Sequence, residues 1–326
     1  MSSAATPGGR REQPRHHPAA HGSRSIAATR SALDPRLPPA ELLEAAARLQ
    51  GGATTALREV PSATARLHAG VDLGTAYVVL VVVDDDGTPV AVASRAASVV
   101  RDGVVVDFAG ATAIVADLVA EVESQLGREL TTAATTYPPG VPLAEVQACR
   151  YVVEAVGLEC TVLVDEPTAA NAVLGVRDGA VVDVGGGTTG TAVLHDGVVV
   201  AVADEPTGGT HVSLVLAGGL GCSLEEAERL KLDPARQPEL LPRVRPVFDR
   251  IARIIVGHLE GHAVDRIHLV GGTAAFPGMA AVVATGTGLP VTSPPHPLLV
   301  TPLGVALHDP GELAASDPTP REIHHG

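Results

Sequence analysis

Apolar runs punctuated by Asp-Gly turns recur twice along the chain in the same order. The first unit opens with Val71-Asp72-Leu73-Gly74-Thr75 and runs into the continuous apolar stretch Tyr77 to Val83. It reverses at Asp86-Gly87 and returns as Val90 to Ala93. The second opens with Val181-Val182-Asp183-Val184, passes through Gly185-Gly186-Gly187-Thr188-Thr189, and runs into Thr191 to Leu194. It reverses at Asp196-Gly197 and returns as Val198 to Val202. Short apolar runs bounded by turn residues read as strands, and Asp-Gly between them reads as a hairpin. The pattern predicts a duplicated fold whose two leading turns face one ligand.

After each set of strands the apolar period lengthens to that of helices. The first half predicts a strand near Val104-Val106, a helix from Thr112 to Gln125 stopping at Gly127, a strand near Thr131-Thr135, and a helix from Leu143 to Val156. A strand from Cys160 to Val164 then leads through Asp165-Glu166-Pro167 into a helix from Thr168 to Leu174. The second half predicts helices at about His211-Ala217, Leu224-Leu230 and Pro242-Glu260, then a strand at Arg266-Val270. A helix near Met279-Val283, a short strand at Val291 and a last helix from Leu303 to Leu307 follow, with a loose polar tail from Asp309. Strands alternating with helices indicate an α/β sheet with parallel members. Ahead of the first unit, Leu37 to Leu49 predicts an amphipathic helix that packs on the domain.

Composition narrows the function classes. The chain has 326 residues, 45% hydrophobic, enough for one large or two medium domains. Its formal net charge of −14 argues against nucleic acid or an anionic membrane surface as the main partner. Aromatics are 2%, so the core is built from Val, Leu and Ala, and single-strand stacking platforms are disfavoured. No apolar run approaches the ~18 residues of a membrane span. The scattered Cys149, Cys160 and Cys222 read as buried, inert thiols of a reducing cytosol. The first thirty residues, with Arg10, Arg11, Arg15, Arg24 and Arg30 and the histidines His16, His17 and His21, read as a disordered basic tail in preference to a transit peptide.

The turns carry the chemistry. Their glycines let backbone amides approach an anion, and Thr75, Thr188 and Thr189 add hydroxyl donors. Asp72 and Asp183 would repel phosphate directly, but suit a hydrated Mg²⁺. Together these groups describe a Mg-nucleotide clamp, against the plain alternative of two hairpins. Gly185 to Gly190 also satisfies G-x-G-x-x-G, but that fingerprint needs a helix at the glycines, and the β-branched run into Asp196-Gly197 predicts a strand. Glu166, at a strand end before a helix, is placed to orient water on a terminal phosphate or to serve as a first-turn acid. Glu228 and Lys231 share a helix face and grip a ribose or form an exposed pair. Gly271-Gly272-Thr273 gives backbone room beside a flat base or forms a simple turn. His258 and His262, four apart on a predicted helix, lack the Glu of a zinc-protease motif and read as a solvated face.

These residues resemble the actin/DnaK ATPase superfamily. The Asp72-Leu73-Gly74-Thr75 turn resembles its first phosphate motif and Asp183 to Thr189 its second. Glu166-Pro167-Thr168-Ala169-Ala170 resembles its first connecting motif, Gly271 to Gly278 its adenosine motif, and Glu228 with Lys231 its nucleoside-contacting pair. Val99 to Gly103, Tyr137 to Gly140, Ala203 to Gly209 and Ser223 to Glu228 carry a nearer likeness to the EutJ family of ethanolamine utilisation. The resemblance implies two duplicated ribonuclease-H-like lobes, 69–178 and 179–310, with the last helix (301–308) packing back on the first lobe. Residues 1–36 are then a basic tail, 37–68 a helical lead-in and 311–326 a flexible tail. It implies ATP and Mg²⁺ between the lobes. Asp72, Glu166 and Asp183 form the acidic set, and Asp72 and Asp183 serve the metal through water. Gly74, Thr75, Gly185, Gly186, Gly187, Thr188, Thr189, Gly208, Gly209, Glu228, Lys231, Gly271, Gly272 and Thr273 contact the nucleotide. It further implies a chaperone or reactivating factor, at most a slow ATPase, in the cytoplasm, free or associated with a microcompartment. Its client would be the cobalamin-dependent ammonia-lyase or a microcompartment component, docked on the ATPase body. Two departures, Gly190 where relatives usually carry an acid and the absence of any lysine but Lys231, keep open a non-hydrolysing scaffold. A small-molecule kinase of the superfamily fits less well, because no substrate insert or base is evident.

Overall fold

The computed structural model describes residues 33–50, 65–101 and 103–311. The basic segment with its histidines up to residue 32, residues 51–64 of the expected lead-in and the tail from 312 onward lie outside the described residues.

The valine runs form the strands the pattern predicts. In chain order, α1 (Pro39–Gln50) precedes β1 (His68–Leu73), β2 (Tyr77–Val83), β3 (Pro89–Ala96), β4 (Val100–Arg101) and β5 (Val104–Val105). Then come α2 (Phe108–Leu126), β6 (Thr132–Tyr137), α3 (Leu143–Ala155), β7 (Glu159–Asp165) and α4 (Glu166–Leu174). The second half has β8 (Gly179–Val184), β9 (Thr189–His195), β10 (Val198–Glu205), α5 (Gly209–Leu220), α6 (Leu224–Leu232) and α7 (Gln237–Leu259). It closes with β11 (Ile267–Val270), α8 (Met279–Thr287), β12 (Val291–Thr292) and α9 (Val300–His308). The five-stranded sheets are ordered β3-β2-β1-β6-β7 and β10-β9-β8-β11-β12. Taken by chain position, both are the same order, three antiparallel strands followed by two parallel ones. The duplication read from the paired turns is therefore a duplication of topology.

Alternation along β2 shows how the layers stack. Val78, Leu80 and Val82 join an outer core with α2 and α3, whereas Val79, Val81 and Val83 join a central core with Leu303 and Leu307 of α9 and Leu42 and Leu43 of α1. Successive strand residues face opposite sides, and both sides here are covered, which is why the run is apolar without a break. The central core also takes Val181 of β8 and Ala192 and Leu194 of β9, so it lies between the sheets. The second sheet's other face is covered by α5, α7 and α8 through residues such as Leu216, Phe248, Ile251 and Val283. At the centre, a side-chain carbon on Gly304 of α9 would collide with the carbonyl of Ala169 in α4, and one on Gly70 of β1 with the backbone of Ala306 in α9. Glycine at both places lets α9 wedge backbone-to-backbone between strand and helix.

Several boundaries differ from the sequence pattern. Helix α2 begins at Phe108 because the Asp107 carboxylate accepts the Gly110 N–H at 2.9 Å, a cap ahead of the apolar period. Helix α4 begins at Glu166 for the same reason, Asp165 accepting from the Thr168 N–H. Pro242 is not the start of α7: the helix runs from Gln237 through Pro242 and Pro246, held by its buried stripe of Leu240, Val244, Phe248, Ile251 and Ile255. It stops at Leu259, so His262 lies past its end and does not share a helix face with His258. Nor is His258 solvated. It is half-buried, its Nδ1 lies 2.9 Å from the Thr191 hydroxyl, and burial lowers its basicity. Cys149 and Cys160 are buried, and burial raises their thiols to about 12 and about 11, whereas Cys222 is only half-buried.

The expectation of a loose chain from Asp309 fails at its first residue, and the stretch from 312 lies outside the described residues. Asp309 is fully buried, and its carboxylate accepts from the Ala69 N–H at 2.9 Å and from the hydroxyls of Thr132 at 3.1 Å and Thr161 at 2.8 Å. The Asp309 carbonyl lies 2.8 Å from His68 Nδ1. This latch ties the end of α9 to β1, β6 and β7, and a lone Asp at a polar chain end gives no sequence signal of it.

Candidate functional site

Asp72 and Asp183 occupy equivalent strands, β1 and β8, one in each sheet. Each strand leads into its glycine turn, and the two turns touch: a side-chain carbon on Gly186 would lie 3.1 Å from the Ala76 nitrogen and 3.4 Å from the Thr75 Cβ. The turns thus close over one cleft, with a cavity volume of about 210 Å³. Asp72, Gly74, Thr75, Glu166, Asp183, Gly185, Gly186, Gly187, Thr188, Glu228, Lys231, Gly271, Gly272 and Thr273 all line it. These belong to both lobes and to elements up to about 200 residues apart in sequence, so the fold, not local chain proximity, gathers them.

Four candidate residues stand elsewhere or act differently. Thr189 is fully buried and its hydroxyl donates to the Thr207 carbonyl at 2.7 Å, so it braces the sheet and does not face the cleft. Gly208 and Gly209 lie behind the second turn: the N–H of Gly209 donates to the Gly185 carbonyl at 2.9 Å and that of Thr210 to the Gly186 carbonyl at 2.8 Å. A side-chain carbon on Gly208 would come within 2.6 Å of the Gly185 carbonyl. The start of α5 therefore shapes the turn from below. Thr273 lines the cleft and also clamps the turn, its hydroxyl donating to the Gly185 carbonyl at 2.7 Å.

Glu228 and Lys231 are not an exposed surface pair. Their charged atoms lie 2.7 Å apart at the cleft wall, and Lys231 is 9% exposed with its ammonium 3.3 Å from the Gly209 carbonyl. The Ser213 hydroxyl donates to the same Glu228 oxygen. A helical i,i+3 spacing brings the two together, and the neighbouring α5 fixes which way they face.

The acidic set is electrostatically unbalanced. Burial first, and the charge of Asp183 second, raise Asp72 from 3.8 to about 7. Burial raises Asp183 to about 6, although the Thr301 hydroxyl donates to it and pulls the other way. Glu166 is raised well above its usual range by burial and then by Asp183, Asp72, Asp204 and Asp165 in turn. Among the described residues lining the cleft, Lys231 is the lone basic side chain, and it is committed to Glu228. Carboxylates crowded without a counter-charge hold protons near neutrality and accept a cation in their place. The donor set of carboxylates, hydroxyls and backbone groups suits a hard cation such as Mg²⁺. Among the described residues, no three of His, Cys, Asp or Glu are grouped closely enough to hold a metal ion directly.

Two features escape sequence reasoning. Thr301, in the first turn of α9, reaches the cleft and Asp183 from the last described helix, and nothing near it forms a motif. Gly190 sits close to its neighbours: a side-chain carbon there would lie 3.3 Å from Pro139, 3.4 Å from Pro167 and 3.5 Å from Asp204, in contact with all three. Gly271, with φ of 92°, is fixed, since any side chain would strike the Asp183 carboxylate. After the Gly185-Gly187 turn the chain enters β9 and not a helix, as expected when the dinucleotide fingerprint is set aside.

A family model described as cell division protein FtsA matches residues 180–305, and one described as MreB/Mbl protein matches residues 93–215. The ethanolamine utilization protein EutJ of Escherichia coli is 45% identical over 261 residues, covering 79% of this chain and 92% of that protein. The crystal structure of EutJ from Carboxydothermus hydrogenoformans is 46% identical with a TM-score of 0.77, covering 83% of this chain and 98% of that one. MreB5 of Spiroplasma citri bound to AMPPNP superposes with a TM-score of 0.59 at 16% identity, covering 73% of this chain and 94% of that one, and shares the actin-like ATPase fold.

Proposed function

Because the chain belongs to the EutJ family of ethanolamine utilization proteins, we propose that it binds Mg-ATP between its two lobes and couples lobe closure to a protein client of ethanolamine breakdown. The observation that carries this reading is the meeting of the two Asp-Gly turns across one cleft lined by both aspartates, Glu166 and the Glu228-Lys231 pair. Backbone amides of Gly74 and Gly185 to Gly187, with the hydroxyls of Thr75 and Thr188, receive the phosphates. Asp72 and Asp183 would hold a hydrated Mg²⁺, whose charge would offset both the phosphates and the crowded carboxylates. Glu228 and Lys231 take the ribose, and Gly271-Gly272 face the base. Glu166 orients the water that attacks the terminal phosphate, at a slow rate.

The client is the cobalamin-dependent ammonia-lyase or a shell component of the microcompartment, engaged in the cytoplasm as a chaperone or reactivating factor engages it. No helix among the described residues is long and apolar enough to cross a membrane. A second reading, a nucleotide-stabilised scaffold that does not cleave ATP, is favoured by Gly190, which supplies no carboxylate beside the second turn, and by the commitment of the chain's one lysine to Glu228. Calorimetric titration of the full chain with ATP in Mg²⁺ and in EDTA, followed by phosphate release with and without a cell extract from ethanolamine growth, tests both. Mg²⁺-dependent binding supports nucleotide loading, and release divides the two readings. No binding under either condition overturns both.

A further inference from the structure

The two sheets share a strand order, but their outer edges are treated differently. In the first sheet the edge strand is β3, whose Val90, Ala91, Val92 and Ala93 are buried. Helix α1 covers one face of it through Leu42, Leu43 and Ala46, and α2 the other through residues such as Leu118 and Val122. In the second sheet the equivalent strand is β10, where Val198, Val200 and Val202 are 54%, 52% and 42% exposed. Val202 lies opposite Ala192 of β9, on the face turned to the central core. Val198 lies opposite His195, on the face that Val193 turns to the outer core. Apolar side chains are therefore exposed on both faces of one edge. A helix would cover one face; a further strand beside the edge covers both. From Val198 to Ala203 the strand carries no charge and no proline, the residues that ordinarily blunt an open edge. A register shift between Val199 and Ala201 interrupts its start, and Ala201 to Glu205 pair regularly with β9. Among the described residues no strand pairs with its outer side.

We propose that a second copy of this chain occupies this edge, β10 pairing antiparallel with β10 about a two-fold axis and joining the two five-stranded sheets into one. Charge selects both the occupant and the sense of pairing. At the start of β10 the hairpin exposes Asp178 and Asp196, with Arg177 beside them and His195 Nδ1 3.0 Å from the Asp178 carboxylate. At the end of β10, Glu205 borders an open groove along α7 lined by Arg250, Arg253 and His258. Neither Arg250 nor Arg253 forms an ion pair among the described residues. The strand thus starts with two carboxylates against one arginine and ends with two arginines against one carboxylate. A two-fold axis lays the start of one strand beside the end of the other, so each end meets opposite charge, whereas parallel pairing would set like beside like. The pairing needs no nucleotide and stands apart from the Mg-ATP reading.

Sedimentation of the full chain across micromolar concentrations, with amide hydrogen exchange followed on β10 in the same samples, tests it. The expected result is a monomer–dimer equilibrium in which exchange between Val198 and Glu205 slows as the dimer fills. Val200→Lys combined with Val202→Lys, both at exposed positions, is expected to weaken dimerisation by about tenfold or more without lowering the melting midpoint of the monomer. Arg250→Glu with Arg253→Glu is expected to weaken it by about tenfold. Adding Asp196→Lys to that pair is expected to recover part of the loss, which an interface elsewhere on the surface would not do. Should the charge-reversed chains fail to fold, the two lysine substitutions decide. A wild-type chain that stays monomeric overturns the proposal: slow exchange on β10 in that monomer would show the edge covered by the chain's own segments, and fast exchange would leave it to a different protein. A dimer that survives Val200→Lys with Val202→Lys overturns it as well.

Discussion

Helix α9 begins and ends on a buried carboxylate, and the two ends are built differently. At its far end Asp309 is given a backbone N–H and two hydroxyls as donors. At the cleft end Asp183 has one hydroxyl, from Thr301, and faces Asp72 and Glu166. A buried acid whose lone pairs are satisfied holds elements together. A buried acid crowded by like charges holds them apart electrostatically, and persists where a ligand completes it. The same helix thus ties a structural latch to a site that is costly when empty.

Breaking the latch should give the largest effect on stability. Asp309→Ala strands three donors among buried groups and is expected to cost about 3 kcal/mol, read as a lowered midpoint in urea. ATP affinity, measured at a temperature where the variant is folded, should stay within a few-fold of wild type. A latch variant that lost nucleotide binding while folded would erase the contrast between the two ends.

Asp183→Asn should show the reverse. Removing the carboxylate that faces the cation is expected to lower Mg-ATP affinity by roughly 30- to 100-fold, or about 2–3 kcal/mol, without lowering the thermal midpoint of the nucleotide-free protein. Calorimetry beside a melting curve separates the two quantities.

The pH response sharpens the comparison further. The folded-state value of Asp72, about 7, lies above its ordinary 3.8, so the folded chain binds more protons across that interval. Its contribution to stability is therefore present below about pH 4 and falls as pH rises through about 7. Asn does not titrate. Asp72→Asn should exceed wild type in stability at pH 8, on the order of 1 kcal/mol after screening by cleft water, and the gap should close near pH 4. Urea midpoints across pH check it, and a gap that widens toward acid contradicts the assignment.

The smallest effect on binding belongs to Glu166→Gln. ATP affinity should change by no more than a few-fold, because Glu166 acts on water and not on the phosphates, while any phosphate release should disappear. A Gln variant that keeps wild-type release removes Glu166 from the chemistry and favours the scaffold reading.

Much of this was legible in the sequence because it rests on local rules. Val78 to Val83, buried on both faces, and the matching runs around Asp183 announced strands, and the paired turns announced duplication. Gly127 ended α2 where its left-handed cap requires glycine. What stayed hidden depends on contacts between distant segments. Thr301 and the Asp309 latch gain their roles from residues more than 100 positions away, and no short pattern encodes that. Thr189 was misread as a ligand donor because a hydroxyl beside a glycine turn looks available, whereas its partner is the Thr207 carbonyl. The Pro242 boundary failed because the buried stripe of α7 outweighs a local helix breaker.

The most direct measurement is a crystal structure of the full chain grown with Mg²⁺ and a non-hydrolysable ATP analogue. The phosphates should lie against the Gly74 and Gly185-Gly187 turns, with the metal's water shell shared by Asp72 and Asp183. An analogue bound outside this cleft, or in it with neither aspartate near the metal, would show that the paired turns do not form a shared Mg-nucleotide clamp.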